Sequence, residues 1–559
     1  MRCTPKPASR PSNSAHSKEP SLTISSSTHV YLRQNIQFEP LINGWYAWFH
    51  TLPPVTAALN VAERFLPLMK SYAASPMMHA AACKDPAMRG GPFLDLDGKR
   101  VDDIRALIEQ TTTRATRQLE LAKAYKTFST LLLEQAKGMA SDPLYPQIPE
   151  VLKGYVEIYY DLNHNPSFRL FESLLYASPF YARDAQSIAL SAIDENTPRP
   201  FILSTPRLSD ERTLFCNMAF DDRALDALFR MRDTPGSYAK IVDLMRVAEK
   251  DEPLFRTFFV EEAPAPKPDR SFDGDDIRIR YYGHACLLVQ SRGVSILLDP
   301  VISYGYDTAL PRYTFADLPD QIDYVLITHS HHDHIVPETL LQLRHKVKTV
   351  VVGRNLDGFP QDPSLALALR KLGFDDVREV RDAEEIKVPN GAITAIPFMG
   401  EHNDLAIQSK QSFMIRFGTR SVLCIADSCN LDPHIYEHAF RLAGKPDTLF
   451  VGMETEGAPP SWAYGPLFPK ALPRDIDQSR RARGCQFGEA AALVDDFPFS
   501  AAYVYAMGQE PWLNHLLDNT FDENSPSHIQ STQFVAHCKA KGIASEILYA
   551  TREIVLCQN

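Results

Sequence analysis

Two rhythms of apolar residues divide this 559-residue chain. From about Val30 to Val260 apolar positions recur at helical spacing. In residues 101–139, for example, Ile104, Leu107, Ile108, Phe128, Leu131 and Leu132 mark buried helix faces, and residues 54–75 carry a similar pattern. Further on the period changes. Residues 277–281, 285–289 and 294–298 are short β-type runs broken by glycine, and later runs alternate with helical segments. The pattern predicts an α/β protein: a mainly helical α+β N-terminal domain over residues 30–260, then an α/β domain over 276–559. Residues 261–275 open with prolines alternating with polar residues, the signature of an extended, semi-rigid linker. Residues 1–29, rich in Ser and Pro, predict a disordered tail whose basic, acid-poor composition also suits an organelle transit peptide. The aromatic run Trp45, Tyr46, Trp48, Phe49 predicts core filling or a subunit contact rather than a binding surface. Residues 457–484, rich in Pro, Gly and aromatics with weak periodicity, are too long for an ordinary connection and predict a lid.

Composition narrows the function. A formal net charge of −11 argues against nucleic acid and against an anionic membrane as partner, since both need a concentrated positive surface. No apolar stretch is long enough to span a bilayer, and the first thirty residues lack the apolar core of a secretory signal. Nine cysteines, scattered without paired short spacing, predict neither a disulfide framework nor a zinc ribbon, and hence a reducing, cytoplasmic location. Cys424 and Cys429 read as buried thiols beside a strand end.

The densest chemistry lies in Thr328-His329-Ser330-His331-His332-Asp333-His334, directly after the strand-like run Tyr324-Val325-Leu326-Ile327. In an extended turn His329 and His331 project to one side and can grip one metal, while Asp333 and His334 can reach a second. Two later segments place further candidates at strand ends: residues 392–398 lead to Glu401 and His402, and residues 421–426 lead to Asp427. The neighbours Glu401 and His402 imply different chemistries. With His402 as ligand the site has four imidazoles and two carboxylates, the character of a zinc hydrolase. With Glu401 the added anion lowers the metal charge and favours oxidised iron and oxygen chemistry. Spacing alone does not separate the two.

Together with Gly283-His284-Ala285 and Leu298-Asp299-Pro300, these residues resemble the metallo-β-lactamase fold, an αββα sandwich whose His-x-His-x-Asp-His loop holds a dinuclear centre. The resemblance implies His329 and His331 on one metal, Asp333 and His334 on the other, and Asp427 bridging. It leaves His284 and Asp299 as orienting groups rather than ligands. The N-terminal half resembles the CmlA-type diiron β-hydroxylases of nonribosomal peptide biosynthesis. The likeness is carried by Leu41-Ile42-Asn43-Gly44-Trp45-Tyr46-Ala47-Trp48, Gly90-Gly91-Pro92-Phe93, the segment from Lys153 to Tyr176, Ser204-Thr205-Pro206-Arg207-Leu208 and, near the end, Tyr505-Ala506-Met507-Gly508-Gln509-Glu510-Pro511-Trp512. It implies Glu401 in place of the usual third histidine. It also implies two iron ions with O2 as co-substrate, an external electron donor, and an aminoacyl substrate tethered to the carrier domain of a nonribosomal peptide synthetase. A homodimer formed through the N-terminal half is expected. The alternative is a dinuclear zinc hydrolase of phosphodiesterase, lactonase or thioesterase type. His515 stands either as a last metal ligand or as a helix residue near Trp512. Arg480, Arg481 and Arg483 form a basic cluster in the lid, either a solvated loop or a contact for the acidic carrier and its phosphate.

Overall fold

The computed structural model describes residues 28–558 apart from 195–198, 266, 268 and 519–521. The tail expected over 1–29 therefore lies, up to residue 27, outside the described residues. The C-terminal half contains two seven-stranded sheets. In the first, Ile322–Ile327 lies between Val294–Leu298 and Val347–Gly353, parallel to both. In the second, Arg420–Cys424 lies between antiparallel Gln411–Phe417 and parallel Thr448–Gly452. Side chains such as Leu287, Ile296, Leu326, Phe413, Ile415 and Val422 fill the space between the sheets. Strands buried on both faces read as continuous apolar runs, which is why Val294–Leu298 and Thr448–Gly452 show no alternation. Helices cover the outer faces. Pro337–Leu343 and Leu365–Lys371 pack in one apolar cluster, and His434–Ala443, Phe487–Asp496 and Pro526–Ala540 contribute to another. The result is the αββα sandwich.

The N-terminal half is built on a four-stranded antiparallel sheet in the order Trp45–Tyr46, Ile36–Ile42, Gln186–Ala192, Thr213–Cys216. The helical run expected over residues 54–75 forms as Pro54–Asn60 and Leu66–Ala74, joined without a break by a π-turn at Val61–Phe65. The run expected over 101–139 is two helices, Val101–Arg114 and Thr116–Gln135, interrupted at Ala115.

The two halves share a core. Phe38, Leu228 and Phe229 belong to the same apolar cluster as Leu340, Leu341 and Val325. A buried ionic clamp reinforces the junction. Arg199 lies 2.6 Å from both Glu39 and Glu338, Arg207 lies 2.9 Å from Glu39, and the hydroxyls of Tyr46 and Tyr304 donate to Glu338 at 2.8 and 2.7 Å. The aromatic run is buried throughout: Tyr46 reaches Glu338, and Trp48 packs edge-on against His332. The later part of the expected linker, at Asp269 and Phe272, is tied down as well. Arg278 and Arg280 donate to the Asp269 carbonyl, and Phe272 accepts from the Gly293 amide.

Candidate metal centre

The loop 328–334 leaves the carboxyl end of Ile322–Ile327, a central strand, where ligands of α/β sheets gather. Glu401 follows Gly391–Pro397, and Asp427 follows Arg420–Cys424. The fold brings these groups together. Nitrogen and carboxylate oxygen atoms of His329, His331 and Glu401 lie within 4.8 Å of one another, as do those of His329, His334 and Asp427, and those of His284, Asp333 and His334. Asp427 needs a glycine beside it, because a Cβ at Gly452 would lie 2.5 Å from the Ala426 carbonyl oxygen and 2.7 Å from Asp427 Oδ1.

Hydrogen bonds set the imidazoles. Asp299 Oδ1 accepts from the Thr328 amide at 2.7 Å, and its Oδ2 accepts from the Thr328 hydroxyl at 2.6 Å. The same Oδ2 lies 2.8 Å from His334 Nδ1. With its proton given to Asp299, the Thr328 hydroxyl accepts from His329 Nδ1 at 3.0 Å. Both rings therefore carry hydrogen on Nδ1 and turn the Nε2 lone pair toward the centre, the role of an outer carboxylate in metal sites. The atoms left over converge: His329 Nε2, His334 Nε2 and Asp427 Oδ1 are buried with no hydrogen-bond partner, although His334 Nε2 lies 3.0 Å from Asp427 Oδ2. Buried polar atoms in native proteins are almost always satisfied, so this cluster fits a cation. The charges agree. Burial disfavours a charged His334, yet Asp333, Asp427 and Asp299 hold its pKa well above the ordinary value, the mark of a pocket with excess negative charge. His329 is held well below its ordinary value, first by burial and then by His334, and is thus a neutral imidazole.

Glu401 sits in unusual backbone. Residues 400–404 all have positive φ, with Glu401 at φ 59°, ψ −140°. Such strain in non-glycine residues concentrates at functional sites. Burial would raise the Glu401 carboxyl, but His331 and His402 hold it well below the usual range. Its Oε1 lies 2.6 Å from His331 Nδ1, while Oε2 accepts from the His402 amide at 2.7 Å and lies 2.5 Å from His402 Nδ1. His402 belongs to none of the three clusters. It stacks on His331 with ring centroids 4.3 Å apart and so braces Glu401 from behind. His284 Nε2 lies 3.1 Å from Asp333 Oδ2, and His284 joins Asp333 and His334 in the third cluster. His515 points elsewhere, 3.7 Å from Glu338 in the interdomain clamp.

One carboxylate escaped the sequence reading. Glu454 follows Thr448–Gly452 and lines the same cavity of about 240 Å³ as His331, Asp333, Glu401 and Asp427. Burial, then the neighbouring Asp427, Asp333 and Glu401, push its carboxyl well above the usual range. The strand-end rule that located Glu401 and Asp427 applies to it equally. The cavity wall comes from the segment expected to be a lid, through Gly457, Ala458, Pro459, Trp462 and Ala463. That segment is more ordered than expected, with helices at Pro460–Tyr464 and Arg474–Ser479. The basic cluster is split. Arg480 donates to the Asn403 carbonyl, Arg483 pairs with Glu489 at 2.7 Å, and Arg481 alone stays exposed at the cavity rim.

With this geometry in view, the class of protein is defined. Residues 31–264 match the diiron non-heme beta-hydroxylase N-terminal domain, and residues 278–452 match the beta-lactamase superfamily domain. The chain belongs to the diiron non-heme β-hydroxylase family. It is 40% identical over 534 residues to the 4-amino-L-phenylalanyl-[CmlP-peptidyl-carrier-protein] 3-hydroxylase of Streptomyces venezuelae, covering 94% of this chain and 99% of that protein. The crystal structure of CmlA, a diiron beta-hydroxylase from Streptomyces venezuelae, superposes with a TM-score of 0.88 at 38% identity, covering 95% of this chain and all of that one. A UPF0173 protein of Pyrococcus abyssi is 31% identical over 176 residues, covering 31% of this chain and 69% of that protein. That likeness extends over about a third of the chain, whereas the likeness to the hydroxylase covers nearly the whole chain. Among the described residues, no helix is long and apolar enough to cross a membrane.

Proposed function

We propose that this chain β-hydroxylates an aminoacyl group carried as a thioester on the carrier domain of a nonribosomal peptide synthetase, in antibiotic biosynthesis. It does so with two iron ions and O2. The single observation that carries the reading is Glu401, a third carboxylate placed by strained backbone against His331 where a hydrolase site would offer an imidazole. Three carboxylates facing three imidazoles suit oxidised iron better than zinc. In this reading His329, His331, Asp333, His334, Glu401 and Asp427 would hold the two irons. When bound, the iron pair supplies the oxygen chemistry.

The protein's own groups do the rest. Asp299 and Thr328 fix the tautomers of His334 and His329, His402 braces Glu401, and the wall from Gly457 to Ala463 limits water at the cavity. The reading includes residues 30–260 and 276–559 as two domains, a homodimer formed through the N-terminal half, a cytoplasmic location and an external electron donor. Metal analysis of the purified protein together with mass spectrometry of carrier-bound aminoacyl substrates tests it. Two irons per chain and a gain of one oxygen atom on the aminoacyl group are expected. Zinc with thioester hydrolysis would overturn it.

A further inference from the structure

Glu454 lines the metal cavity without belonging to any of the three ligand clusters. Asp427 is the charged group that acts on it most strongly, followed by Asp333 and Glu401, so it lies beside the expected metal ligands. Among the described residues no hydrogen bond or ion pair engages its side chain, which is half-buried and open to the cavity it lines. The other acids of the cavity wall outside the clusters differ from it. Asp518 accepts from the Gly90 amide at 2.6 Å, and Glu456 is exposed at the rim.

The backbone holds Glu454 in place. Its carbonyl accepts from the Gly484 amide at 2.7 Å, and the amide of the next residue, Thr455, donates to the Ser527 hydroxyl at 2.9 Å. That closeness requires the glycine at 484, because a Cβ there would lie 2.8 Å from the Gly452 carbonyl oxygen. Two arginines of the cavity wall are spent elsewhere, Arg483 on Glu489 and Arg481 on Gln478. A carboxyl fixed in a partly dry cavity with no donor of its own is costly to bury and calls for a ligand that brings the donor. A cationic donor suits it best, since hydrogen bonds between charged groups are the strong ones. Ala458, Pro459, Trp462 and Leu517 give the same cavity an apolar wall, so the ligand that fits carries an ammonium group on an apolar body.

We infer that Glu454 binds the α-ammonium group of the aminoacyl substrate and so sets the β-carbon toward the metals. The ammonium is the cation that every aminoacyl thioester carries, whatever its side chain, and its nitrogen and the β-carbon are bonded to the same atom. Holding the nitrogen at Glu454, beside Asp427 and Asp333, therefore confines the β-carbon to the metal end of the cavity. The inference rests on the carrier-bound reading above and deepens it by assigning a substrate-binding residue.

The test uses two loaded carriers, one bearing an aminoacyl group and one bearing the same group with hydrogen in place of the amine. Glu454→Gln keeps the shape of the side chain and removes its charge, and Glu456→Gln does the same at the rim. Affinity of the iron-loaded protein for each carrier is measured with O2 excluded, and hydroxylation of each is followed by mass spectrometry. The parent is expected to bind the aminoacyl carrier at least tenfold more tightly than the desamino carrier, the effect of one hydrogen bond to a charged group. Glu454→Gln should lose that preference by weakening the aminoacyl arm alone, with parent metal content, and kcat/KM should follow the same pattern; Glu456→Gln should keep the preference. Equal losses on both carriers would show that Glu454 only supports the cavity or moves protons, and would overturn the proposal. Metal content below that of the parent would make Glu454 a ligand and overturn it too, as would a parent with no preference for the amine. A parent that prefers the aminoacyl carrier through Glu454 yet hydroxylates neither would instead sink the functional reading and leave this assignment standing.

Discussion

Replacing Arg199 by Met removes the centre of the clamp that joins the two halves. Its guanidinium meets Glu39 Oε1 and Glu338 Oε2 at 2.6 Å each, and Glu338 Oε1 at 3.1 Å. All three side chains are largely buried, with 15% of Arg199, 8% of Glu39 and 6% of Glu338 exposed. Glu39 would keep Arg207, but Glu338 would be left with two tyrosine hydroxyls and His515. Breaking a buried pair by removing one partner costs about 3–5 kcal/mol, because the remaining charge has been desolvated without compensation. The cost depends on pH in a definite direction. Burial raises the two carboxyls, but Arg207 and Arg199 bring Glu39 down to about 2, and Arg199 and His515 bring Glu338 well below its ordinary value. Folded pKa values below the unfolded value of 4.5 give stability that is full above pH 4.5 and is lost as pH falls toward 2. Arg199→Met removes much of that contribution, so the gap between variant and parent should be widest at neutral pH and narrow on acidification. Urea unfolding followed by tryptophan fluorescence at neutral pH and near pH 4 measures both effects, since Trp48 sits at the junction. Adding Glu338→Gln should recover part of the loss by removing the stranded charge. A neutral-pH penalty below about 1 kcal/mol, the range of exposed ion pairs, would refute the argument. So would a penalty that does not change with pH.

Glu401→His should retain two metals but shift selectivity from iron toward zinc and lose most β-hydroxylation; single-turnover activity equal to the parent would contradict the charge argument. Asp427→Ala should lower metal content below two per chain and abolish turnover, checked by metal analysis beside a product assay. Among the lid arginines, only Arg481→Ala should flatten the salt dependence of turnover on carrier-bound substrate without loss of stability. Arg480→Ala and Arg483→Ala should destabilise by loosening Asn403 and Glu489. Burial pushes the Glu172 carboxyl up to about 8, where it accepts from the Ser364 amide and Asn355 across the junction. A raised folded value means stability that is full below pH 4.5 and declines as pH rises through 8. Glu172→Gln should flatten that decline in urea midpoints, and a parallel pH profile for parent and variant would discount the buried proton.

The chemistry of the centre was legible in sequence because it is local. The loop from His329 to His334 holds four candidate ligands within six residues, and the strand-end positions of Glu401 and Asp427 follow from short apolar runs whose length and bounds are set nearby. The change of period near residue 276 similarly marked where β structure takes over, since side-chain alternation and glycine breaks depend only on the adjacent chain. Interactions over long sequence separation were invisible. The junction clamp pairs Arg199 with Glu39 and Glu338, residues with no common pattern, and only folding places their charges in one dry space. The same holds for Arg64 against Trp462, for His515 turned toward Glu338, and for Arg480 spent on Asn403. Glu401 and His402, adjacent in sequence, could not be told apart by spacing, because the difference lies in a backbone turned to positive φ over five consecutive residues. Sequence thus determined which chemical groups are available and on which strand ends they sit. Tertiary structure decided where each buried charge and each lone pair points, because desolvation makes those orientations worth several kcal/mol only once the surrounding chain has closed over them.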